Sequence, residues 1–121
     1  MRNINTLIDK YPKLLSDLLF NRRDSFGVEC GDGWFDLINT LCEDIIRVDP
    51  TAIATQVKEK FGTLRFYVSA AEDEVFDLID KAEDASGKIC EECGAPGKTE
   101  GKMWLKTICK KCKKESKYYA D

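Results

Sequence analysis

The chain has 121 residues, 43% of them hydrophobic and 10% aromatic, and carries a formal net charge of −3. This composition excludes a disordered or low-complexity protein, and the length fits one domain or one domain with a small appended module. No apolar run approaches the roughly 18 residues that span a membrane, and polar residues interrupt the N-terminal stretch where a signal peptide would be apolar. We therefore expect a soluble, cytoplasmic protein without a membrane partner.

The sequence contains no histidine. Histidine is the usual general base near neutral pH and a frequent metal ligand, so its absence removes Ser–His and Cys–His nucleophile pairs and every His-ligated metal site. The chain also lacks a phosphate-binding loop and a recognisable nucleophile pair. We therefore expect no enzymatic activity, and any transition-metal site must be built from cysteine.

Residues 4–20 carry apolar side chains at helical spacing, which predicts a helical N-terminal region. These apolar positions are Ile4, Leu7, Ile8, Tyr11, Leu15 and Leu18. Pro12 interrupts the pattern and has no backbone N–H, so it either kinks one helix or begins a second.

Residues 29–34 read Glu-Cys-Gly-Asp-Gly-Trp, and two glycines around an aspartate predict a tight turn. An amphipathic helix is predicted to follow over residues 34–47, with Asp32 placed to cap its N-terminus. Asp32 and Trp34 are also candidate partner-binding residues. The alternative for Trp34 is a core anchor, because large aromatic side chains dominate protein cores.

Residues 53–68 alternate apolar and polar side chains around Gly62, which predicts a β-hairpin. One face is expected to be mostly apolar, with Val57, Phe61, Leu64, Phe66 and Val68. The other face carries four candidate partner-binding residues that suit an acidic partner or phosphates: Lys58, Lys60, Arg65 and Tyr67. The alternative is that this face is only the solvated side of a half-buried hairpin.

Residues 69–72 have the form of a capping box, which predicts a helix that runs to about Ser86 and ends at Gly87. The charge balance changes sign after this helix. Residues 1–87 carry 10 Lys+Arg against 17 Asp+Glu, whereas residues 88–121 carry 9 Lys against 5 acids. We therefore divide the chain into an α+β core domain, residues 1–87, and a C-terminal module, residues 88–121.

Four cysteines of the C-terminal module form two pairs separated by 15 residues, Cys90-x2-Cys93 and Cys109-x2-Cys112. Zinc prefers four soft ligands in a tetrahedron, and each pair supplies two thiolates at a suitable separation. The pattern predicts one structural Zn²⁺ per chain, with no open coordination position for catalysis. Iron–sulfur ligation and a redox role of the pairs are the less favoured alternatives.

The residues around the cysteine pairs predict that residues 88–121 form a zinc ribbon. Gly94 allows a tight knuckle turn after the first pair. Residues 98–101 are predicted to form a second turn, and residues 103–108 to return as a strand to the second pair.

Two further cysteines lie in the first domain. Cys42 is expected to be buried in the helix over residues 34–47. Cys30 lies near a helix start, where the helix dipole would lower its pKa, but no partner base can be named. A reactive role for Cys30 is therefore the less favoured interpretation.

The second cysteine pair lies in a lysine-rich run of Lys110, Lys111, Lys113 and Lys114. Such a run suits nucleic acid. It equally offsets the net negative charge of four thiolates around one Zn²⁺. Because the overall charge is acidic, nucleic-acid binding is the alternative function.

The segments CGDGWFDLI (30–38) and QVKEKFGTLRFYV (56–68), together with the terminal cysteine pairs, resemble a family of small uncharacterised proteins from bacteria, phages and prophages. The resemblance covers most of the chain, from about Tyr11 to Cys112. It implies an accessory protein that works in the bacterial host cell by binding and redirecting or inhibiting host machinery. The second cysteine pair departs from the pattern because it carries lysines and has no second knuckle glycine.

We predict an α+β fold in which helices pack on a small antiparallel hairpin and a zinc ribbon follows at the C-terminus. The leading functional hypothesis is a non-enzymatic, zinc-containing protein that binds a macromolecular partner, most favourably another protein. The surfaces expected to bind it are the basic hairpin face and the turn at Asp32 and Trp34.

Overall fold

The computed structural model describes residues 3–20 and 27–115 of the chain. Its elements are helices α1 (Thr6–Lys10), α2 (Pro12–Leu15) and α3 (Asp17–Phe20), strand β1 (Val28–Glu29), a 3-10 turn (Asp32–Trp34), helix α4 (Phe35–Val48), strands β2 (Ala54–Lys60) and β3 (Thr63–Val68), helix α5 (Asp73–Ser86), strands β4 (Lys98–Glu100) and β5 (Lys106–Ile108), and helix α6 (Lys110–Glu115). Strands β1 to β3 form one sheet and β4 pairs with β5, which confirms the predicted α+β class. Within the described ranges, no helix is both long and apolar enough to cross a membrane.

Three short helices make up the N-terminal region. Pro12 is the first residue of α2, where a missing backbone N–H costs no helical hydrogen bond, so it begins a new helix. Tyr11 separates α1 from α2 with non-helical angles, φ −126° and ψ 63°. The apolar side chains of the predicted pattern are buried, namely Ile4, Leu7, Ile8, Tyr11, Leu15 and Leu18.

The hairpin of β2 and β3 is antiparallel, with Val57 opposite Phe66, which confirms the predicted hairpin. Phe61 and Gly62 form its turn with positive φ angles of 55° and 87°, the geometry that matches the twist of two-residue hairpins. The alternating pattern places Phe61 on the apolar face, and this prediction is wrong. Phe61 is 62% exposed because a turn position carries its side chain away from the sheet.

A third strand, which the sequence pattern does not reveal, joins this hairpin. β1 runs parallel to β2, with Val28 beside Val57. Two residues are too few to show an alternating pattern, so the strand has no local signal. Its pairing holds the following turn, residues 30–34, at the edge of the sheet.

Helix α5 begins at Asp73, later than the predicted capping box allows. Glu72 is the N-cap but makes no side-chain cap hydrogen bond, and its backbone N–H donates to Asp49 Oδ2 at 3.1 Å. The capping-box interpretation is therefore wrong, because this segment is tied to the end of α4 before the helix starts. The predicted end at Ser86, with Gly87 as C-cap, is confirmed.

Helix α5 covers the open edge of β3. Ser86 Oγ accepts a hydrogen bond from the Leu64 N–H at 2.8 Å and donates one to the Glu83 carbonyl oxygen at 2.5 Å. The helix therefore satisfies a strand N–H that no neighbouring strand can reach. α5 also packs against α4.

The hydrophobic core lies between the helices and the apolar side of the three-stranded sheet. Helix α4 contributes the apolar stripe predicted for it, namely Ile38, Leu41, Cys42 and Ile45. Trp34 is the largest of the fully buried side chains.

The C-terminal module folds as the β4–β5 hairpin followed by α6. The second turn predicted at residues 98–101 is misplaced, because Lys98 to Glu100 pair with β5, with Thr99 opposite Thr107. The connection instead spans residues 101–105. The division at residue 87 stays a prediction; the core domain and the module, as predicted, also include residues outside the described ranges.

Candidate metal centre

The two cysteine pairs come together in space. The sulfur atoms of Cys90, Cys93, Cys109 and Cys112 all lie within 4.8 Å of one another, and the sulfurs of Cys93 and Cys109 are 3.6 Å apart. Four sulfurs bound tetrahedrally at about 2.3 Å from one ion would lie roughly 3.8 Å from each other. The four free thiols can therefore hold one metal ion.

The first pair forms the predicted knuckle. The Gly94 N–H donates to the Cys90 carbonyl oxygen at 2.9 Å, and Gly94 adopts a φ of 84°, a conformation that favours glycine. The Cys90 N–H donates to the Ala95 carbonyl oxygen at 2.7 Å. Cys90 is buried, whereas Cys93 is exposed, so the site lies at the surface with one side closed by the protein.

A helical turn takes the place of a glycine in the second pair. Cys109 follows β5, and Cys112 lies in the first turn of α6. The Cys112 N–H donates to Cys109 Sγ at 3.4 Å, and this bond is the main reason that the pKa of the Cys109 thiol falls to about 7. The Lys113 N–H donates to the Cys109 carbonyl oxygen at 2.9 Å. The missing second glycine therefore does not prevent the four sulfurs from meeting.

The glycine-rich turn at residues 30–34 braces the first knuckle from outside. The Gly31 N–H donates to Glu91 Oε2 at 2.8 Å, and the Gly33 N–H donates to the Glu91 carbonyl oxygen at 2.7 Å. A Cβ atom at Gly33 would lie 2.2 Å from the Cys90 carbonyl oxygen. Only glycine lets the two backbones approach this closely.

Trp34 anchors the same contact from inside the core. Its side chain is fully buried, and its indole N–H donates to the Ile89 carbonyl oxygen at 2.9 Å. Trp34 is therefore the core anchor that was the alternative interpretation. Its side chain does not lie on a surface that a partner can reach.

Asp32 does not cap helix α4. Neither the 3-10 turn nor α4 has a side-chain cap hydrogen bond, and Asp32 Oδ1 accepts one from the Ile4 N–H at 2.8 Å instead. The capping prediction is wrong because the carboxylate is directed towards the N-terminal segment. A role of Asp32 in partner binding stays a prediction.

Glu91 is a site residue that sequence reasoning missed. It is only 7% exposed, and burial raises the pKa of its carboxyl group, an effect partly offset by the Gly31 N–H and by Lys106. Its backbone N–H donates to the Thr107 carbonyl oxygen at 3.1 Å. The only sequence signal is its place directly after Cys90, since its partners lie far away in the chain.

Two threonines fasten the β4–β5 hairpin to the rest of the protein. Thr107 Oγ1 donates to the Gly62 carbonyl oxygen at 2.6 Å and lies 2.5 Å from Thr99 Oγ1. The single Thr99 hydroxyl proton is donated to Thr107 Oγ1, and the Gly87 carbonyl oxygen lies 3.3 Å from Thr99 Oγ1. Because Thr107 is fully buried, its bond to the β2–β3 turn lies away from water, and Thr99 places the module beside the end of α5.

The candidate residues of the hairpin lie on one side of the sheet, with Lys58 opposite Arg65 and Lys60 and Tyr67 further along the same face. Tyr67 is 44% exposed, and Lys60 is exposed as well. Arg65 is different, because its Nη1 lies 3.4 Å from Glu83 Oε1 on α5. Partner binding by this face stays a prediction.

The two cysteines outside the metal group are both protonated at neutral pH. Burial raises the pKa of Cys42 to about 12, and its predicted burial is confirmed. Burial also raises the pKa of Cys30, and the carboxylates of Glu91 and Asp32 raise it further. The expected lowering by a helix start is therefore wrong, because desolvation and nearby negative charge outweigh the helix dipole.

Comparisons with protein families, with curated proteins and with solved structures found no match to this chain. The family resemblance of the quoted segments stays an expectation. The geometry of the four sulfurs and the exposed side chains carries the functional argument.

Proposed function

We propose that this chain is a zinc-stabilised, non-enzymatic protein that binds a macromolecular partner, most favourably another protein. The observation that carries the zinc assignment is the group of four sulfurs within 4.8 Å. Four thiolates saturate a tetrahedral Zn²⁺ and leave no position for water or substrate. The ion then works as a structural staple, as expected for a segment too short to build its own core.

A single zinc ion suits the sulfur group better than an iron–sulfur cluster. The sulfurs of Cys93 and Cys109 are 3.6 Å apart, close to the spacing around one ion, whereas a cluster of several irons would hold its cysteine sulfurs further apart. Native mass spectrometry of the purified protein is expected to find one Zn²⁺ per chain. The variant Cys93→Ser with Cys112→Ser should lose the ion. A protein that carries another metal, or none, would contradict the assignment.

The outer face of the three-stranded sheet is the surface that we propose for the partner. An exposed tyrosine, Tyr67, lies on this face with Lys58 and Lys60. Tyrosine is enriched at protein interfaces, and charges at an interface steer a partner of opposite sign. The proposal therefore predicts an acidic partner surface.

Charge reversal tests this face. The variant Lys58→Glu with Lys60→Glu keeps both Arg65 and its partner Glu83, and the carboxylate introduced at position 58 faces Arg65 across the ladder. The variant should therefore keep its thermal stability but lose partner capture from a lysate of the cells that express the protein. The matched control is Lys13→Glu with Lys81→Glu, which makes the same charge change at exposed positions of α2 and α5. If both variants capture the partner equally well, the sheet face does not bind it.

Nucleic-acid binding by α6 is the second candidate function. Lys110, Lys111 and Lys114 are exposed on this helix, whereas Lys113 contacts Glu100. If three lysines each neutralise one phosphate, log affinity should fall against log salt with a slope of about −3. Fluorescence anisotropy with duplex and single-stranded DNA measures this slope, and no binding at low salt would dismiss the candidate.

A further inference from the structure

We propose that an apolar patch at the tip of the molecule docks a protein partner that presents an apolar pocket rimmed by carboxylates. The patch, called the tip patch here, consists of Phe61, Met103, Trp104 and Leu105. This inference rests on the proposed partner-binding function and names a second surface for it, which adjoins the basic face of the sheet at Lys60.

The tip patch holds most of the large apolar side chains that the described part of the chain leaves in water. Trp104 is 74% exposed, Met103 is fully exposed, Phe61 is 62% exposed and Leu105 is 37% exposed. Tyr67 and Phe76 are the other large hydrophobics exposed in that part. Scattered exposed apolar residues are ordinary, but a contiguous group marks an interaction site.

The group is contiguous because two turns from different parts of the chain lie side by side. A Cβ atom at Gly62 would lie 3.4 Å from the Lys106 backbone nitrogen and 3.5 Å from the Leu105 carbonyl carbon. The Thr107 hydroxyl donates to the Gly62 carbonyl oxygen in the same place. The β2–β3 turn therefore adjoins the β4–β5 connection, and the turn that carries Phe61 lies beside the end of the run of residues 103–105.

The connection at residues 101–105 is packed tightly against itself. Gly101 approaches the Trp104 carbonyl oxygen so closely that a Cβ atom there would lie 2.1 Å from it. The strands on both sides of the connection are paired, with Glu100 opposite Lys106. A loop held at both ends in this way loses less backbone entropy on binding than a free segment would, which favours affinity.

Two cations around the patch indicate the chemistry of the partner, since the one carboxylate at the β2–β3 turn, Glu59, already accepts the Gly62 N–H at 2.7 Å. Lys60 lies with its Nζ 5.4 Å from the centre of the Phe61 ring, and Lys102 is an exposed neighbour of Met103. Neither lysine forms an ion pair with any residue that the structure describes. Carboxylates around an apolar pocket would complement these two cations, while the pocket covers Trp104, the residue type most enriched at binding hot spots.

The same features disfavour two other occupants. Nucleic acid is held mainly through phosphates, but among the described residues only Lys60 and Lys102 are available for phosphates at this patch, and Met103 and Leu105 offer no ring on which a base can stack. A second copy docking by two-fold symmetry would bring Lys60 and Lys102 of both chains to one small contact, where like charges repel.

A displayed library of random peptides provides the probe. Peptides selected on the zinc-loaded protein should combine apolar residues with Asp or Glu, and Trp104→Ala should weaken their binding roughly 30-fold in fluorescence polarisation. The control Phe76→Ala removes another exposed ring, 44% exposed, near the start of α5, and should leave affinity unchanged. Circular dichroism and zinc content verify that both variants fold.

Quenching by iodide gives an independent measurement on the wild-type protein. Trp34 is fully buried and Trp104 is 74% exposed, so the quenchable tryptophan emission comes from Trp104. A selected peptide that docks on the tip patch should protect that emission.

Three results would overturn the proposal of the tip patch. The first is that the selection enriches no peptide. The second is that Trp104→Ala leaves the affinity of a selected peptide unchanged. The third is that the protein binds oligothymidylate, or associates with itself, in a way that depends on Trp104. A peptide lost in Lys58→Glu with Lys60→Glu but kept in Trp104→Ala would refute the tip patch and still support partner binding through the sheet face.

Discussion

At the scale of single residues, the turn at residues 30–34 can approach the first knuckle only because Gly31 and Gly33 have no side chains. The backbone N–H groups of Gly31 and Gly33 both reach Glu91, and a Cβ atom at either glycine would lie within 2.5 Å of backbone carbonyl oxygens. Backbone atoms cannot move aside as the end of a flexible side chain can. These two positions therefore tolerate no larger residue without displacing the metal site.

The variant Gly33→Ala should lower the free energy of unfolding by about 2 kcal/mol or more, because the added methyl group overlaps the Cys90 and Glu91 carbonyl oxygens. Urea unfolding of the zinc-loaded protein measures this change. The matched control is Gly87→Ala, where the new Cβ atom meets its nearest neighbour at an ordinary 3.5 Å and the cost should stay within about 0.5 kcal/mol. Equal costs for the two variants would contradict the close approach at Gly33.

Tyr11 should make stability depend on pH in the alkaline range. Burial, followed by a hydrogen bond to Glu43, raises the pKa of Tyr11 from 10.0 to about 12. The folded protein therefore holds this proton more tightly than the unfolded chain. The contribution of Tyr11 to the free energy of unfolding is fully present below about pH 10 and is lost as the pH rises towards about 12.

Urea midpoints measured across that range should fall less steeply with pH in Tyr11→Phe than in the wild-type protein. Tyr67→Phe removes a hydroxyl from a 44% exposed tyrosine and serves as the control, with the wild-type slope expected. A Tyr11→Phe variant that keeps the wild-type slope would show that another group governs alkaline unfolding.

At the scale of elements, helix α5 protects a sheet edge that would otherwise be open. The Ser86 hydroxyl accepts a hydrogen bond from the Leu64 N–H and donates one to the Glu83 carbonyl oxygen. One hydroxyl group therefore bonds both to the strand and to the last turn of the helix. On the other side of β3, β2 supplies the antiparallel ladder. One N–H of the edge strand is thus satisfied by a helix, and the packing of α5 along β3 hinders pairing of this edge with another chain.

The variant Ser86→Ala leaves the buried Leu64 N–H without its acceptor and should cost about 2 kcal/mol of stability. Thermal unfolding gives the total effect, and hydrogen exchange by NMR should show faster exchange of the Leu64 amide. Ser69→Ala, at an exposed position, should change stability by less than about 0.5 kcal/mol. Unchanged protection of the Leu64 amide would refute the hydrogen bond.

At the scale of the whole molecule, the metal centre is part of the packing of the larger domain. Within the described residues, the module contacts that domain where the knuckle meets the glycine-rich turn and where the Ile89 carbonyl oxygen accepts the Trp34 indole N–H. Thr107 also contacts the Gly62 carbonyl oxygen, and Thr99 lies near the Gly87 carbonyl oxygen. Losing the ion would free the knuckle that carries the first two contacts. The zinc and the core should therefore stabilise each other.

Removal of zinc with a chelator should lower the unfolding midpoint of the core as well as unfold the ribbon. Trp34 emission reports on the core if the exposed tryptophan is first removed by Trp104→Phe. The expected result is a lower midpoint and a red shift of Trp34 emission, both restored by added Zn²⁺. A core transition that does not change on chelation would show that the two parts are stable independently.

Features that depend on local patterns were readable from the sequence. The spacing of Cys90, Cys93, Cys109 and Cys112 predicted that the sulfurs would meet, and they do. The alternation around Gly62 predicted the β2–β3 hairpin, and the 3.6-residue period predicted α4. In each case a few neighbouring residues contain the whole signal, because the geometry repeats along the chain.

Features that depend on one backbone approaching another were decided only by the tertiary structure. Asp32 was expected at a helix cap but binds the Ile4 N–H, and Glu91 became a buried acceptor for a turn 60 residues away. The turn that carries Phe61 was brought beside the connection that carries Trp104 by packing of two separate turns. The sequence by itself determined the ligand set and the main elements, since these follow from residue type and period. Where the elements meet depends on free energies of packing between distant residues, which no local pattern contains.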